Sequence, residues 1–267
     1  MPNSHATAAS TTSPWSAAML NKVPEATLVF WVIKIMATTV GETGADFLNV
    51  KLNFGLGGTS VVMAALLAVA LFAQLRARRY IPWLYWVLVV LVSVVGTLIT
   101  DNLTDNHGIS LFVSSGVFAV ALAATFAAWH ASERTLSIHS ITTTKRELFY
   151  WAAILFTFAL GTAAGDLAGE QLQLGYGLSA VMFGGMIAAV TAAYYALGLN
   201  AVLAFWAAYI LTRPLGASLG DLLSQPLSHG GLGLGTTVTS ALFFAAIAGL
   251  VVWLTRRRVE QAAVATE

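Results

Sequence analysis

Eight stretches of mostly apolar residues follow one another along the chain, at about 26–48, 55–75, 81–103, 109–130, 147–169, 175–197, 199–222 and 234–255. Each is close to the roughly 20 residues a helix needs to cross a bilayer. In lipid the backbone must satisfy its own hydrogen bonds, which leaves runs of this length one fold, the helix. Composition agrees: 58% of the 267 residues are hydrophobic and 9% are charged, where a soluble domain carries about 25% charge. The expected fold class is all-α integral membrane with eight transmembrane helices. The short connections leave no room for a soluble catalytic domain, and no enzyme is expected. With 13 basic and 12 acidic residues, no basic face remains for nucleic acid. Zero cysteines exclude disulfides, thiolate metal sites and cysteine nucleophiles.

Residues 1–24 are rich in Ser, Thr and Ala and read as a disordered tail. The apolar run that follows is too long for the core of a cleavable signal peptide. Residues 25–256 then form one membrane domain, and 257–267 a second tail. Lys22, Arg76, Arg78, Arg79, Arg134, Lys145, Arg146, Arg256, Arg257 and Arg258 fall on one side of the spans, and only Lys51 on the other. The excess of Lys and Arg on cytoplasmic segments predicts both termini in the cytoplasm.

Aligning the spans reveals an internal repeat, the first thing to seek in such a chain. Phe30-Trp31, Tyr85-Trp86, Tyr150-Trp151 and Phe205-Trp206 are aromatic pairs in register. Gly41, Gly96, Gly161 and Gly216 each fall ten residues after the Trp, and Asp46, Asp101, Asp166 and Asp221 fifteen after it. The copies step by 55, 65 and 55 residues, the extra ten lying around Ile138–Thr144. The unit is a two-helix hairpin, with copies at about 25–79, 80–134, 145–199 and 200–256. Two spans per unit give every copy the same polarity, so the repeats are parallel. Fifteen residues span roughly 22 Å at about 1.5 Å each. This predicts a pseudo-four-fold bundle with a carboxylate ring in the outer third of the membrane.

Gly41-Glu-Thr-Gly-Ala-Asp46, Gly161-Thr-Ala-Ala-Gly-Asp166 and Gly216-Ala-Ser-Leu-Gly-Asp221, with the opening Lys22-Val-Pro-Glu-Ala-Thr27, resemble a family of bacterial integral-membrane proteins built from tandem repeats of unknown function. The likeness covers about residues 22–256. The second copy departs from it, since Gly96-Thr-Leu-Ile-Thr-Asp101 lacks the second glycine. The resemblance implies the architecture and a place in the cell (inner) membrane, and little about activity.

Ionisable groups within spans are costly and mark function by default. Besides the four aspartates these are Glu42, Asp105 and Glu170, giving Glu42/Asp46, Asp101/Asp105 and Asp166/Glu170 at i, i+4. That spacing stacks carboxylates on one helix face, where they repel unless a cation or proton lies between them. Gln225 stands at the matching place in the fourth unit. Oxygen donors suit a hard divalent cation such as Mn²⁺ or Mg²⁺. Asn49, Asn53, Asn102 and Asn106 add neutral oxygens, and only His107 and His229 lie near the outer loops. The bland alternative is helix capping, but an Asp at a helix C-terminus opposes the dipole.

Lys34 and Arg213 break the symmetry. Each lies too far below the acids of its own helix to pair with them, and is expected to reach acids on neighbouring helices. They act as switchable counter-ions, as permanent neutralising partners, or as a clamp on an anionic substrate, since Arg suits carboxylate or phosphate, although two bases beside seven acids make a net anionic cavity. The repeat glycines read first as close-packing notches, Gly161/Gly165 and Gly216/Gly220 being GxxxG pairs, and second as hinges. The aromatic pairs read first as an interfacial belt with Tyr194, Tyr195 and Trp253, and second as a substrate cage. Gly55–Gly58, Gly175–Gly177 and Gly230–Gly235 read as short turns, or as backbone lending carbonyls to an ion.

These features make a secondary transporter of a divalent cation the first functional reading, coupled to protons. Asp46, Asp101, Asp166 and Asp221 hold the cation, with Glu42, Asp105 and Glu170 beside them. Lys34 and Arg213 offset charge. The cation is substrate, and no organic cofactor is expected. The alternatives are a cation channel, a proton-coupled carrier of a small organic solute, an intramembrane enzyme, and a metal sensor or scaffold. The partners are the lipid bilayer, the cation and protons. The oligomeric state stays open, a homodimer being one candidate.

Overall fold

The computed structural model describes residues 21–51 and 55–264. Among them are eight long helices: α1 (Leu28–Asp46), α2 (Gly55–Arg76), α3 (Pro82–Asp101), α4 (Leu111–Glu133), α5 (Thr144–Asp166), α6 (Gly175–Leu197), α7 (Ala201–Ser224) and α8 (Gly235–Val264). All eight are long and apolar enough to cross a membrane, and the described residues include no strand. Local chemistry sets the helix ends. Thr27, Ser110, Thr143 and Asn200 accept backbone N–H groups as N-caps of α1, α4, α5 and α7, and Pro82 opens α3, where its missing N–H costs nothing.

The odd helices form a closed ring, α1 against α3, α3 against α5, α5 against α7, and α7 back against α1. The even helices lie outside. Between 50 and 78% of each inner span is buried, against 11–22% of each outer one. Leu66, Phe72, Val120, Val181 and Leu242 are among the large apolar side chains on the outside. The outer helices are apolar all round, a pattern that does not fit a surface facing water.

The repeat in sequence and the packing pair in space are offset by one helix. Each outer helix packs on the inner helix of the following unit: α2 on α3, α4 on α5, α6 on α7. The last, α8, closes the ring on α1. The expected two-helix hairpin is therefore not the packing unit. The short links at 77–81, 134–143 and 198–200 join the packed pairs, and α8–α1 does so without a covalent link.

The glycine notches follow one cyclic rule. A Cβ on Gly41 would run into Ser93, on Gly96 into Phe158, on Gly161 into Arg213, and on Gly216 into Thr38. In each case the glycine ten residues after the Trp receives the residue seven after the Trp of the next inner helix. The close-packing reading of these glycines matches this geometry.

The aromatic pairs are not a belt. Phe30, Tyr85, Trp86, Tyr150, Trp151 and Trp206 are buried in the main core cluster, because their end of the inner ring is covered by residues 21–27 and the 136–141 connection. Tyr194, Tyr195 and Trp253 do lie on the surface. Of the segment read as a tail, residues 1–20 lie outside the described residues, whereas Asn21, Lys22 and Val23 are buried. At the other terminus α8 continues to Val264, past the boundary expected at 256.

Candidate functional site

Three of the four signature aspartates stand where α-helix gives way to one wider π turn. Phe47–Lys51 follows Asp46, Asn102–Asn106 follows Asp101, and Leu167–Gln171 follows Asp166. Such turns are rare and concentrate at functional sites. After Asp221 the helix stops at Ser224. There the chain folds back over its end: Leu232 donates to the Leu222 carbonyl at 2.6 Å, and Leu234 to that of Leu223 at 3.0 Å. A Cβ on Gly231 would strike the Gln225 backbone, so this glycine serves the fold-back.

Carboxylate oxygens of Glu42, Asp166 and Asp221 lie within 4.8 Å of one another. They come from α1, α5 and α7. Glu42 and Asp221 are buried, and Asp166 half-buried. Asp46 and Asp101 are half-buried and lie within electrostatic reach of Glu42, but outside that tight group. The expected ring of four equal aspartates is thus a cluster of two aspartates and a glutamate with two aspartates beside it.

The i, i+4 pairs are also not equivalent. Glu42 lies eleven residues after its Trp and faces inward, whereas Asp105 and Glu170 lie nineteen after theirs and are exposed at the mouth. The register partners of Glu42 are Thr97, Thr162 and Ala217. Among the asparagines, Asn102 bonds Ser60 and the Leu98 carbonyl, and Asn106 bonds Asn102. Asn53 lies outside the described residues.

Arg213 crosses the centre of the bundle directly below the carboxylates, with no solvent exposure. Its Nη2 donates to Glu42 Oε2 at 2.9 Å, to Thr162 Oγ1 at 2.7 Å and to Thr97 Oγ1, while Nη1 reaches the Thr38 carbonyl at 3.4 Å. One guanidinium thereby ties all four inner helices together. Its rigid fork of donors suits this role, and Gly161 supplies the room for its stem. Arg213 meets a neighbouring acid, as the spacing predicted.

Lys34 does not. Also fully buried, it donates to the Tyr209 carbonyl at 3.0 Å and to Thr212 Oγ1 at 2.5 Å. Its Nζ stands 3.9 Å from the Tyr209 ring centroid and 5.2 Å from that of Phe158. Aromatic faces substitute for a carboxylate here. The Phe158 ring also lies 5.7 Å from the Arg213 guanidinium. At the closed end the Tyr85 and Tyr150 hydroxyls meet at 2.5 Å.

Read along the axis, the column runs from exposed acids through the carboxylate cluster, Arg213, Phe158 and Lys34 to the tyrosines. Sequence reasoning missed Thr97, Thr162, Phe158 and the tyrosines as parts of this column. The repeat alignment held the signal: Thr97 and Thr162 are polar residues at the register of Glu42 inside apolar spans.

The fold and site together define an eight-helix, four-repeat bundle whose helices are suited to a membrane and whose axis holds acids above two buried bases. The chain belongs to the family described as Repeat of Unknown Function (DUF347), which matches it four times, at residues 29–80, 84–135, 149–199 and 204–260. Those bounds fall close to the copies found by aligning the Trp, Gly and Asp positions. Neither the curated proteins nor the solved structures compared with the chain gave a match.

Proposed function

We propose that the protein is a multi-pass carrier of the bacterial inner membrane that moves a divalent cation of the Mn²⁺ or Mg²⁺ class. Both termini lie in the cytoplasm, and the exposed acids open to the outside. The observation that carries the reading is the meeting of Glu42, Asp166 and Asp221 within 4.8 Å, supplied by three helices below the exposed Asp105 and Glu170. Carboxylate oxygens alone form a hard donor set, matched to a cation that also keeps water ligands. Asp46 and Asp101 stand at the next shell of charge. Asp105 and Glu170 draw cations to the mouth.

Arg213 is the counter-ion in this reading. With the cation away, the guanidinium neutralises Glu42. With the cation bound, the carboxylate turns to the metal, and protons or movement of Arg213 restore the balance. The buried Arg213 and Lys34 side chains and the Phe158 ring interrupt the axis, which favours a carrier over an open cation pore. An uncoupled pore also needs no paired base at its narrowest point. The proton-coupled organic-solute reading is met by the same experiment.

The test is calorimetry on purified protein in detergent, titrating Mn²⁺, Mg²⁺, Ca²⁺ and Zn²⁺ into the parent and into the Asp166→Asn/Asp221→Asn double variant. The reading expects saturable binding of one hard divalent ion with proton release, lost in the variant. Absence of metal binding from a folded parent overturns it in favour of an organic solute.

A further inference from the structure

Two sequence features remain unused by the carboxylate site: the opening segment around Lys22 and the ten extra residues between the second and third copies. In the structure they meet. The Lys22 backbone N–H donates to the Ile141 carbonyl at 3.2 Å, and Asn21 Nδ2 to that of Ile138 at 3.0 Å. Lys22 Nζ then enters the bundle, donating to Glu147 Oε2 at 2.7 Å and to the Leu75 carbonyl at 3.1 Å. Gln74 holds the other Glu147 oxygen at 3.0 Å. Lys22, Gln74 and Glu147 are all buried, although the segment carrying Lys22 has no helix of its own.

The same two segments roof a cavity of about 530 Å³, within the range of small-molecule sites. Glu25, Thr27 and His139 lie along its roof, Trp31 and Phe205 along one wall and Val190, Thr191, Tyr194 and Tyr195 of the outer helix α6 along the other, and it reaches Thr212. Thr212 accepts the Lys34 hydrogen bond. The cavity therefore ends one residue from the lower part of the axial column, at the end opposite the carboxylates.

We propose that this cavity is the second vestibule of the carrier, and that residues 21–27 with the 136–141 connection are its gate, latched by the Lys22–Glu147 pair. This rests on the carrier reading, which requires an opening at the closed end. A buried ion pair suits a latch because it is stable only while complete: removing one partner strands the other in a low-dielectric site. Trp206 Nε1 donates to the Leu136 carbonyl at 2.9 Å and holds the connection to α7, so release of Lys22 frees the opening segment first. Glu25 and His139 at the roof offer a departing cation its first ligands outside the axis.

The chain has no cysteine, so single cysteines report accessibility cleanly. Ile154→Cys sits at the register of Lys34 and is buried, and Ser218→Cys sits near the carboxylate level, also buried. Alkylation by N-ethylmaleimide is timed on the full chain in detergent. Adding Lys22→Met is expected to speed reaction at Ile154→Cys by about tenfold, equal to roughly 1.4 kcal/mol taken from the closed state. Ser218→Cys stays slow, and Lys22→Arg keeps both slow. Glu147→Gln reproduces Lys22→Met. An unchanged rate at Ile154→Cys overturns the gate, as does an equal rise at both cysteines, which reports general loosening. Mn²⁺ titration of Lys22→Met gives the separate check. Binding equal to the parent is expected, and a parent that binds no metal condemns the carrier reading whatever the alkylation shows.

Discussion

Arg213 and Glu42 meet at 2.9 Å although 171 residues separate them, and they join the first and last inner helices of the ring. Both are buried, so the pair is a closure of the bundle as well as a charge match. Replacing only Arg213 with Leu leaves Glu42 without its cation, and Thr97 and Thr162 without their donor. We expect a loss of about 3–5 kcal/mol, the usual cost of removing one partner from a buried pair. Arg213→Lys recovers little, since one ammonium cannot reach three helices at once. The double variant Glu42→Leu/Arg213→Leu is expected to be more stable than Arg213→Leu alone. Thermal unfolding in detergent, followed by circular dichroism, compares the three. A double variant no better than the single shows that the hydroxyl bonds, not the carboxylate, set the cost.

The cyclic notch rule gives a second prediction. Gly161→Ala sets a methyl against the Arg213 stem and the Pro214 ring, and Gly216→Ala one against Thr38 and the Ile35 carbonyl. Overpacking of this kind typically costs about 1–3 kcal/mol. Gly116 and Gly249 are also helical, but nothing lies within 4 Å of a Cβ placed on them. There alanine is expected to be neutral or to stabilise by about 0.5–1 kcal/mol through lost backbone entropy. Denaturation midpoints of the four variants should split into two groups. Equal behaviour would falsify the notch assignment.

The sequence made the inner helices legible because four copies share one register, and a residue type kept at a fixed offset marks a common depth. Asp46, Asp101, Asp166 and Asp221 do lie near one level for this reason. Rotation about each helix axis was not legible. It decides that Asp166 and Asp221 approach Glu42 while Asp46 and Asp101 stand aside. The offset of packing units was hidden as well, since a repeat defines which residues are equivalent and not which helices touch. Lys34 shows the limit of charge reasoning: a base expected to seek an acid found a carbonyl, a hydroxyl and two ring faces. The buried aromatics were misjudged because an interfacial position and a capped bundle end look alike in a single chain.

The Tyr85–Tyr150 contact supplies a third prediction. Its two hydroxyls satisfy each other at 2.5 Å with both side chains fully buried. Tyr150→Phe takes the partner away from Tyr85, at a cost of about 1–3 kcal/mol, and Tyr85→Phe is expected to cost less, since Tyr150 keeps Tyr209 beside it. Removing both hydroxyls leaves rings of nearly the same shape, and only the buried Tyr209 hydroxyl, which also faces Tyr150, loses a neighbour, so the double variant is expected to recover most of the single-variant loss. A double-mutant cycle from urea or thermal unfolding reads the coupling. Additive single effects would show that the two hydroxyls do not depend on each other.

The carboxylate cluster makes the most direct prediction about function. Asp166→Asn and Asp221→Asn each replace a charged oxygen donor with a neutral one in a group whose members stand within 4.8 Å. Each is expected to weaken Mn²⁺ binding by at least about tenfold, or roughly 1.4 kcal/mol. Asp105→Asn and Glu170→Gln lie at the exposed mouth, where salt screens charge, and should change affinity far less. Their effect belongs to the rate of cation capture and should fade as ionic strength rises. Glu42→Gln differs from both groups, because it removes a ligand and also releases Arg213. It should lower affinity and stability together. Ligand-induced stabilisation separates the cases: a cation at 100 times its dissociation constant adds about 2.7 kcal/mol to the folded state. The parent should gain that increment at saturating Mn²⁺, and Asp105→Asn should gain nearly as much at the same concentration. Asp221→Asn should lose about half of it, since a tenfold weaker site is then only ten times saturated. Equal protection in Asp105→Asn and Asp221→Asn would place the cation at the mouth instead of on the buried cluster.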